Sequence, residues 1–127
     1  MLKRLLILLI LPLMFSSCTQ NKTEIIEVSS WGSVTEVKIL ENAIQEFEQK
    51  NPDVKVNFVH IPQNYFQKIH LLFASNQAPD VLFINNLYLP LYAQKLEPLD
   101  NVVDKNDFYP KSLEALSVDG KLLAVPR

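Results

Sequence analysis

From Glu24 onward the apolar positions switch repeatedly between a period near two and a period near 3.6. In EIIEVSSW, residues 24–31, the β-favouring Ile25, Ile26 and Val28 precede Gly32, which predicts a first strand. Ser33 and Glu36 then have the spacing of a capping box, and Val37, Leu40, Ile44 and Phe47 recur at helical intervals until Asn51-Pro52. VKVNFVHI, residues 54–61, alternates through Val54, Val56 and Phe58 between two prolines and reads as a second strand. A second helix over 65–74 carries Phe66, Ile69 and Phe73 on one stripe and stops before Pro79. DVLFIN, residues 80–85, is almost wholly apolar, as a strand covered on both faces must be, and so predicts the most buried strand. Beyond it the pattern weakens: LYLPLYAQKL suggests a helix begun or interrupted at Pro90, and residues 111–115 suggest a short one. Asp119-Gly120 separates two β-prone runs and predicts a two-residue hairpin turn with positive φ.

Strand, helix, strand, helix, strand, helix at these spacings predicts an α/β fold. Its crossovers are right-handed, and its sheet is parallel, mixed at the last strand, with helices on both faces. In such sheets ligands bind beyond the carboxyl ends of the strands, where the strand order reverses. The residues at those ends are Trp31-Gly32-Ser33, Ile61–Tyr65, Asn85-Asn86 and Pro126-Arg127.

The residues before Glu24 follow another logic. Lys3 and Arg4 precede the apolar run LLILLILPLMF, residues 5–15, and the small Ser16 and Ser17 come before Cys18, which makes residues 1–17 a secretory signal peptide. As a helix the apolar run spans only about 16 Å, roughly half of a bilayer's hydrocarbon core, so it does not read as a transmembrane segment. Cys18 is the only cysteine and cannot form an internal disulfide. The polar residues 18–23 then read as a tether, and residues 24–127 as the folded body. The whole chain has 127 residues, 48% hydrophobic and 20% charged, as an ordinary globular domain has. Loss of Lys3 and Arg4 takes the basic count from 12 to 10 against 14 acidic residues, a net charge of −4, which argues against nucleic acid as a partner.

Catalysis finds no support in the motifs. There is no G-x-S-x-G, no P-loop and no G-x-G-x-x-G, and with only Gly32 and Gly120 present a glycine-rich phosphate cradle is excluded. His60 and His70 have no third histidine or second cysteine to complete a metal site, and no cofactor is implied. Asp80, Asp100 and Asp104 lie where solvated caps and turns are expected. Trp31 has two readings. As a core residue it packs among Leu40, Ile44 and Phe58; as a ligand wall beside a helix N-terminus it stays open to solvent and suits a molecule with one apolar face and a hydroxyl rim. Ser33 already has a structural task in the capping box, and Asn85 and Asn86 suit either turn capping or paired hydrogen bonds to hydroxyls.

Several motifs stand in a familiar order: W-G-S at 31–33, F-E-x-x-N-P-x-V-x-V at 47–56, A-S-N-x-A-P-D-V at 74–81, L-Y-A-x-x-L-x-P-L-D at 91–100 and D-G-K-L-L-A-V-P at 119–126, after F-S-S-C at 15–18. F-S-S-C resembles the lipobox of bacterial lipoproteins, in which Cys18 becomes a lipidated N-terminus. From Glu24 to Arg127 the chain resembles the N-terminal part of the extracellular solute-binding proteins of ABC importers, in the carbohydrate-binding, maltose-type group. The resemblance implies a monomeric, non-enzymatic receptor of two lobes, lipid-anchored to the membrane at the cell envelope and facing the periplasm or exterior. It would close on a carbohydrate ligand and deliver it to permease subunits. Carried over by motif, Trp31, Ser33, Asn85, Asn86 and Arg127 fall at the cleft. The family often has an acidic residue near Asn85 or Asn86, where this chain has amides.

Family members continue well past this length, so residues 24–127 read as a partial first lobe, from a fragment or a truncated gene product. One lobe supplies one wall of a two-walled cleft, and weak or absent sugar binding is the expectation for this chain by itself. Two other readings stay open: a receptor of the same fold for another small solute, and an envelope lipoprotein remnant without a transport role.

Overall fold

Seven residues of extended, β-favouring sequence, Glu24–Ser30, form β1, and Val54–His60 form β2 beside it. They pair in parallel along their whole length, from Glu24 opposite Val54 to Ser30 opposite His60. Val81–Leu82 form β3, which pairs in parallel with the other edge of β1 through Val28 and Ser29. The sheet order is therefore β2-β1-β3. This computed structural model describes residues 23–127, so the expected export signal, Cys18 and the expected tether up to residue 22 lie outside the described residues.

The connections fix the layers. The chain leaves β1 for β2 on one side and returns across it to β3 on the other. Right-handed crossovers running in opposite directions put the two connecting helices, α1 (Val34–Lys50) and α2 (Tyr65–Ala74), on opposite faces. Ser33 and Glu36 close the expected capping box, and Asn51 ends α1 by donating its backbone N–H to Phe47 O. α1 covers its face only partly, and none of its residues is fully buried.

The core lies on the α2 side. Ile61, Tyr65, Ile69 and Tyr92 form its buried centre, with Val59, Leu72, Phe73, Leu82 and Leu96 among the residues packed around it. Tyr92 comes from α3 (Leu89–Tyr92), which carries Pro90 in its first turn, where a locked φ and a missing N–H are tolerated, and it stacks on Phe73 with ring centres 4.5 Å apart.

Two expectations are corrected. DVLFIN yields a strand of only two residues, and Val81 is 49% exposed rather than the most buried position. β3 is an edge strand among the described residues, and no strand pairs with its outer side. The C-terminal hairpin forms with the expected turn, Asp119 and Gly120 having φ of 50° and 77°. Its strands, β4 (Ser117–Val118) and β5 (Lys121–Leu122), make a sheet of their own instead of joining the first. Leu122 explains this: its N–H donates to Asp100 Oδ2 and its carbonyl accepts from Leu99, which ties β5 to the loop after α3. The short helix α4 spans Pro110–Ala115 and buries Leu113.

Candidate functional site

Because β1 lies between β2 and β3, the strand order reverses at β1, and the carboxyl ends of β1 and β3 flank the point where a crevice forms. Trp31 follows β1 and Phe83 follows β3. Their rings meet edge to face at 5.7 Å. The first turn of α2 supports them from below: Trp31 lies 4.8 Å from Tyr65 in a T-shaped pair and 5.3 Å from Phe66, and Phe66 stacks flat on Tyr88 at 3.8 Å. Edge-to-face and stacked geometries are the favoured ones for aromatic pairs, so the platform is held in one arrangement.

Trp31 is thus half-buried, and neither reading of it is complete. It packs on the α2 side against Tyr65, Phe66 and Phe83 rather than among Leu40, Ile44 and Phe58, and part of its surface stays open.

Arg127 comes back across this platform. Its guanidinium sits 5.0 Å from the Phe83 ring centre and 5.9 Å from that of Trp31, and it makes a 2.9 Å ion pair with Glu36 Oε1. The other carboxylate oxygen, Glu36 Oε2, accepts from Ser33 N–H at 2.8 Å and from Ser33 Oγ at 3.0 Å. Those Ser33 hydrogen bonds, first from the backbone and then from the hydroxyl, hold the Glu36 carboxyl below its ordinary pKa, and Arg127 adds to the effect. His60 closes the back of the turn, its Nε2 lying 3.0 Å from Gly32 O, a carbonyl that can only accept.

The residues expected at the cleft separate into two groups. Trp31 and Arg127 come together, with Ser33 joined to Arg127 through Glu36. Ser33 Oγ is committed to the capping box, so Ser33→Ala is expected to lower stability by about 1 kcal/mol, measured by urea unfolding; an unchanged midpoint would show the cap to be dispensable. Asn85 caps a turn, its Oδ1 accepting from Leu87 N–H at 3.1 Å and Tyr88 N–H at 3.2 Å, while Asn86 is exposed. Asn85 contributes here by turning the chain into Tyr88. His70 is exposed on α2, with its ring centre 6.4 Å from that of Tyr92.

Sequence reasoning missed Glu36, Phe66, Phe83 and Tyr88 as members of the site. Glu36 was visible as the last residue of the capping box, but Arg127 lies 91 positions away and no spacing could join them. From Trp31, Phe83 and Arg127 a groove of about 840 Å³ extends beside β3, lined mainly by apolar side chains such as Phe73, Leu96 and Leu123. Among the described residues no group of three or more His, Cys, Asp or Glu could hold a metal ion, and no helix is long and apolar enough to cross a membrane.

Comparison with known proteins gives a consistent result. The family profile of the bacterial extracellular solute-binding proteins matches residues 31–126. An uncharacterised ABC transporter extracellular-binding protein of Pyrococcus horikoshii is 24% identical over 119 residues, which are 91% of this chain and 28% of that protein. Among solved structures, a maltose-bound MalE3 of T. maritima superimposes with a TM-score of 0.74 at 26% identity, over 80% of this chain and 28% of that one. The sugar-binding protein MalE of Xanthomonas citri does so with a TM-score of 0.71 at 29% identity, over 80% and 28%. A periplasmic solute-binding protein of Pectobacterium atrosepticum gives 0.74 at 26% identity, over 81% and 27%. The chain therefore spans less than a third of the length of the relatives it matches.

Proposed function

The chain belongs to the bacterial extracellular solute-binding protein family, and from that membership we propose that it forms part of the first lobe of a sugar receptor serving an ABC importer. The observation that carries this reading is the aromatic platform of Trp31, Phe66, Phe83 and Tyr88 at the switch point, with Arg127 above it. Sugars present apolar faces of C–H groups edged by hydroxyls, and a fixed ring beside polar groups recognises both. The sugar named for MalE and the maltose bound to MalE3 support the same ligand class here. Residues 1–17 act as the export signal and Cys18 as the lipidated anchor, so that the receptor sits on the membrane beside its permease without spanning it. Its work is binding and release, with no covalent step.

A single wall gives a weak complex. The platform covers one face of a ligand, and the remaining contacts of an enclosing site come from an opposing wall. The expected affinity of the 127-residue chain for a neutral oligosaccharide is therefore in the millimolar range, equivalent to about 4 kcal/mol. Trp31 is the only tryptophan, so its indole N–H resonance reports the site without further assignment. Titration with maltose, trehalose, cellobiose and xylobiose is expected to move that resonance saturably for at least one sugar. No movement with any of them would overturn the sugar reading, and a micromolar affinity would overturn the single-wall account.

A further inference from the structure

Two positive elements beside Trp31 at the switch point are neutralised from within the chain. One is the N-terminus of α1, a helix of 17 residues whose aligned peptide dipoles leave positive charge at that end. The other is Arg127. A single carboxylate serves both: Glu36 Oε2 holds Ser33 N–H and Ser33 Oγ at the start of α1, and Glu36 Oε1 holds the guanidinium of Arg127. The backbone is shaped to admit it. Gly32 has φ of 148°, and a β-carbon there would lie 3.2 Å from both Glu36 Cβ and Glu36 Oε2, so a side chain at 32 would press on the carboxylate.

We propose that Glu36 determines the ligand class of this site, acting as a built-in counter-ion that turns away anionic solutes and leaves the platform to neutral polyhydroxyl ligands. The proposal rests on the sugar-binding reading and narrows it to uncharged sugars over phosphorylated or carboxylated ones. An incoming phosphate or carboxylate that binds Arg127 would either displace Glu36 from it or use the remaining guanidinium N–H groups and lie beside the Glu36 negative charge. A hydroxyl meets no such repulsion, and it can donate to the carboxylate while the guanidinium stays in place.

Glu36→Gln isolates the charge, because glutamine also completes a capping box and keeps an acceptor for Ser33 N–H. Trp31 fluorescence of the full chain is followed during titration with sodium sulfate, at ionic strength held constant with sodium chloride. The wild-type chain is expected to give no saturable response. E36Q is expected to bind sulfate about tenfold or more tightly than the wild type, and E36Q combined with Arg127→Gln is expected to lose that gain. Saturable sulfate binding by the wild-type chain equal to that of E36Q would overturn the proposal. So would a gain in E36Q that survives loss of Arg127, which would mark an adventitious ion only. The wild-type titration decides the matter even if E36Q does not fold, since the proposal fails wherever the unaltered chain binds sulfate as tightly as it binds maltose. Failure of maltose to move the Trp31 resonance is a separate result: it removes the sugar reading and leaves the sulfate comparison to report on Glu36.

Discussion

Trp31→Ala is expected to lower the unfolding free energy by about 3 kcal/mol and to abolish the response to sugar together. Truncating a fully buried tryptophan to alanine costs about 3–5 kcal/mol, and Trp31 is only half-buried, which places it at the lower end. Part of the loss is geometric. Trp31 makes aromatic pairs with Tyr65, Phe66 and Phe83, and each such pair contributes about 0.5–1.5 kcal/mol beyond its buried area. The other part falls on Arg127, which keeps its ion pair with Glu36 but loses one of the two rings beneath its guanidinium. Urea unfolding measures the first effect, and sugar-induced shifts of the Gly32 and Phe83 amide resonances measure the second. Trp31→Phe should recover more stability than binding, because a smaller ring still packs on Tyr65 but offers less surface to a sugar. A loss below about 1 kcal/mol would mean that Trp31 lies on the surface instead of anchoring the β1 end.

The position of Trp31 shows where sequence reasoning reached its limit. Side chains alternate along a strand, so Trp31 shares its side with Ser29 and not with Val28. In the observed register Val28 lies opposite Phe58, and Ser29 lies opposite Val59 and Leu82. Phe58 is therefore on the α1 side and Trp31 on the α2 side, and the two cannot meet. The alternation was legible in residues 24–31. The register was not, because nothing local determines which residue of β2 stands opposite Ser29.

Elements with a strong local cause were legible to within a residue or two. The capping box placed the start of α1, and the apolar stripe placed α2 at residues 65–74. The stripe of Phe66, Ile69 and Phe73 does face the core, but it extends one position further, to Tyr65, which is more deeply buried than Phe66 or Phe73. A helical stripe specifies which residues share a face but leaves its edge open by one position. β3 shows a different limit. Its apolar sequence is that of a strand covered on both sides, but pairing with β1 alone gives Val81 one neighbouring strand and leaves it half open. The meeting of Arg127 with Glu36 lay furthest from view, since it depends on the path of every element between them.

The hydroxyl of Tyr65 ties both ends of the switch point to α2, and Tyr65→Phe is expected to lower stability by about 2 kcal/mol without disturbing the ring packing. The Tyr65 Oη donates to Ser29 O at 3.1 Å, lies 2.9 Å from Ser29 Oγ and accepts from Phe83 N–H at 3.0 Å. Phe83 N–H has a second acceptor in Ser29 O, so its loss is partial. Ser29 Oγ is the group that suffers, because Ser29 is 1% exposed and water cannot replace its partner. This identifies a control. Removing both partners is milder than removing one, so Tyr65→Phe should cost less in a Ser29→Ala background than in the wild type, by about 1 kcal/mol. Equal costs in the two backgrounds would show that the Oη–Oγ contact does not stabilise the fold. Alkaline pH provides an independent reading. Burial raises the Tyr65 pKa above its ordinary 10.0, against the opposing effect of the Ser29 and Phe83 hydrogen bonds. Above pH 10 the unfolded chain releases this proton while the folded chain still holds it, so stability falls with rising pH until the folded group also ionises. Burial also raises the Tyr92 pKa, with Tyr88 adding to the effect, and that group contributes a decline of the same sign. In Tyr65→Phe the Tyr65 part is lost while the Tyr92 part remains, and the slope of unfolding free energy above pH 10 should be visibly shallower than in the wild type. An unchanged slope would place the Tyr65 hydroxyl in contact with water and remove it as the link between β1, β3 and α2.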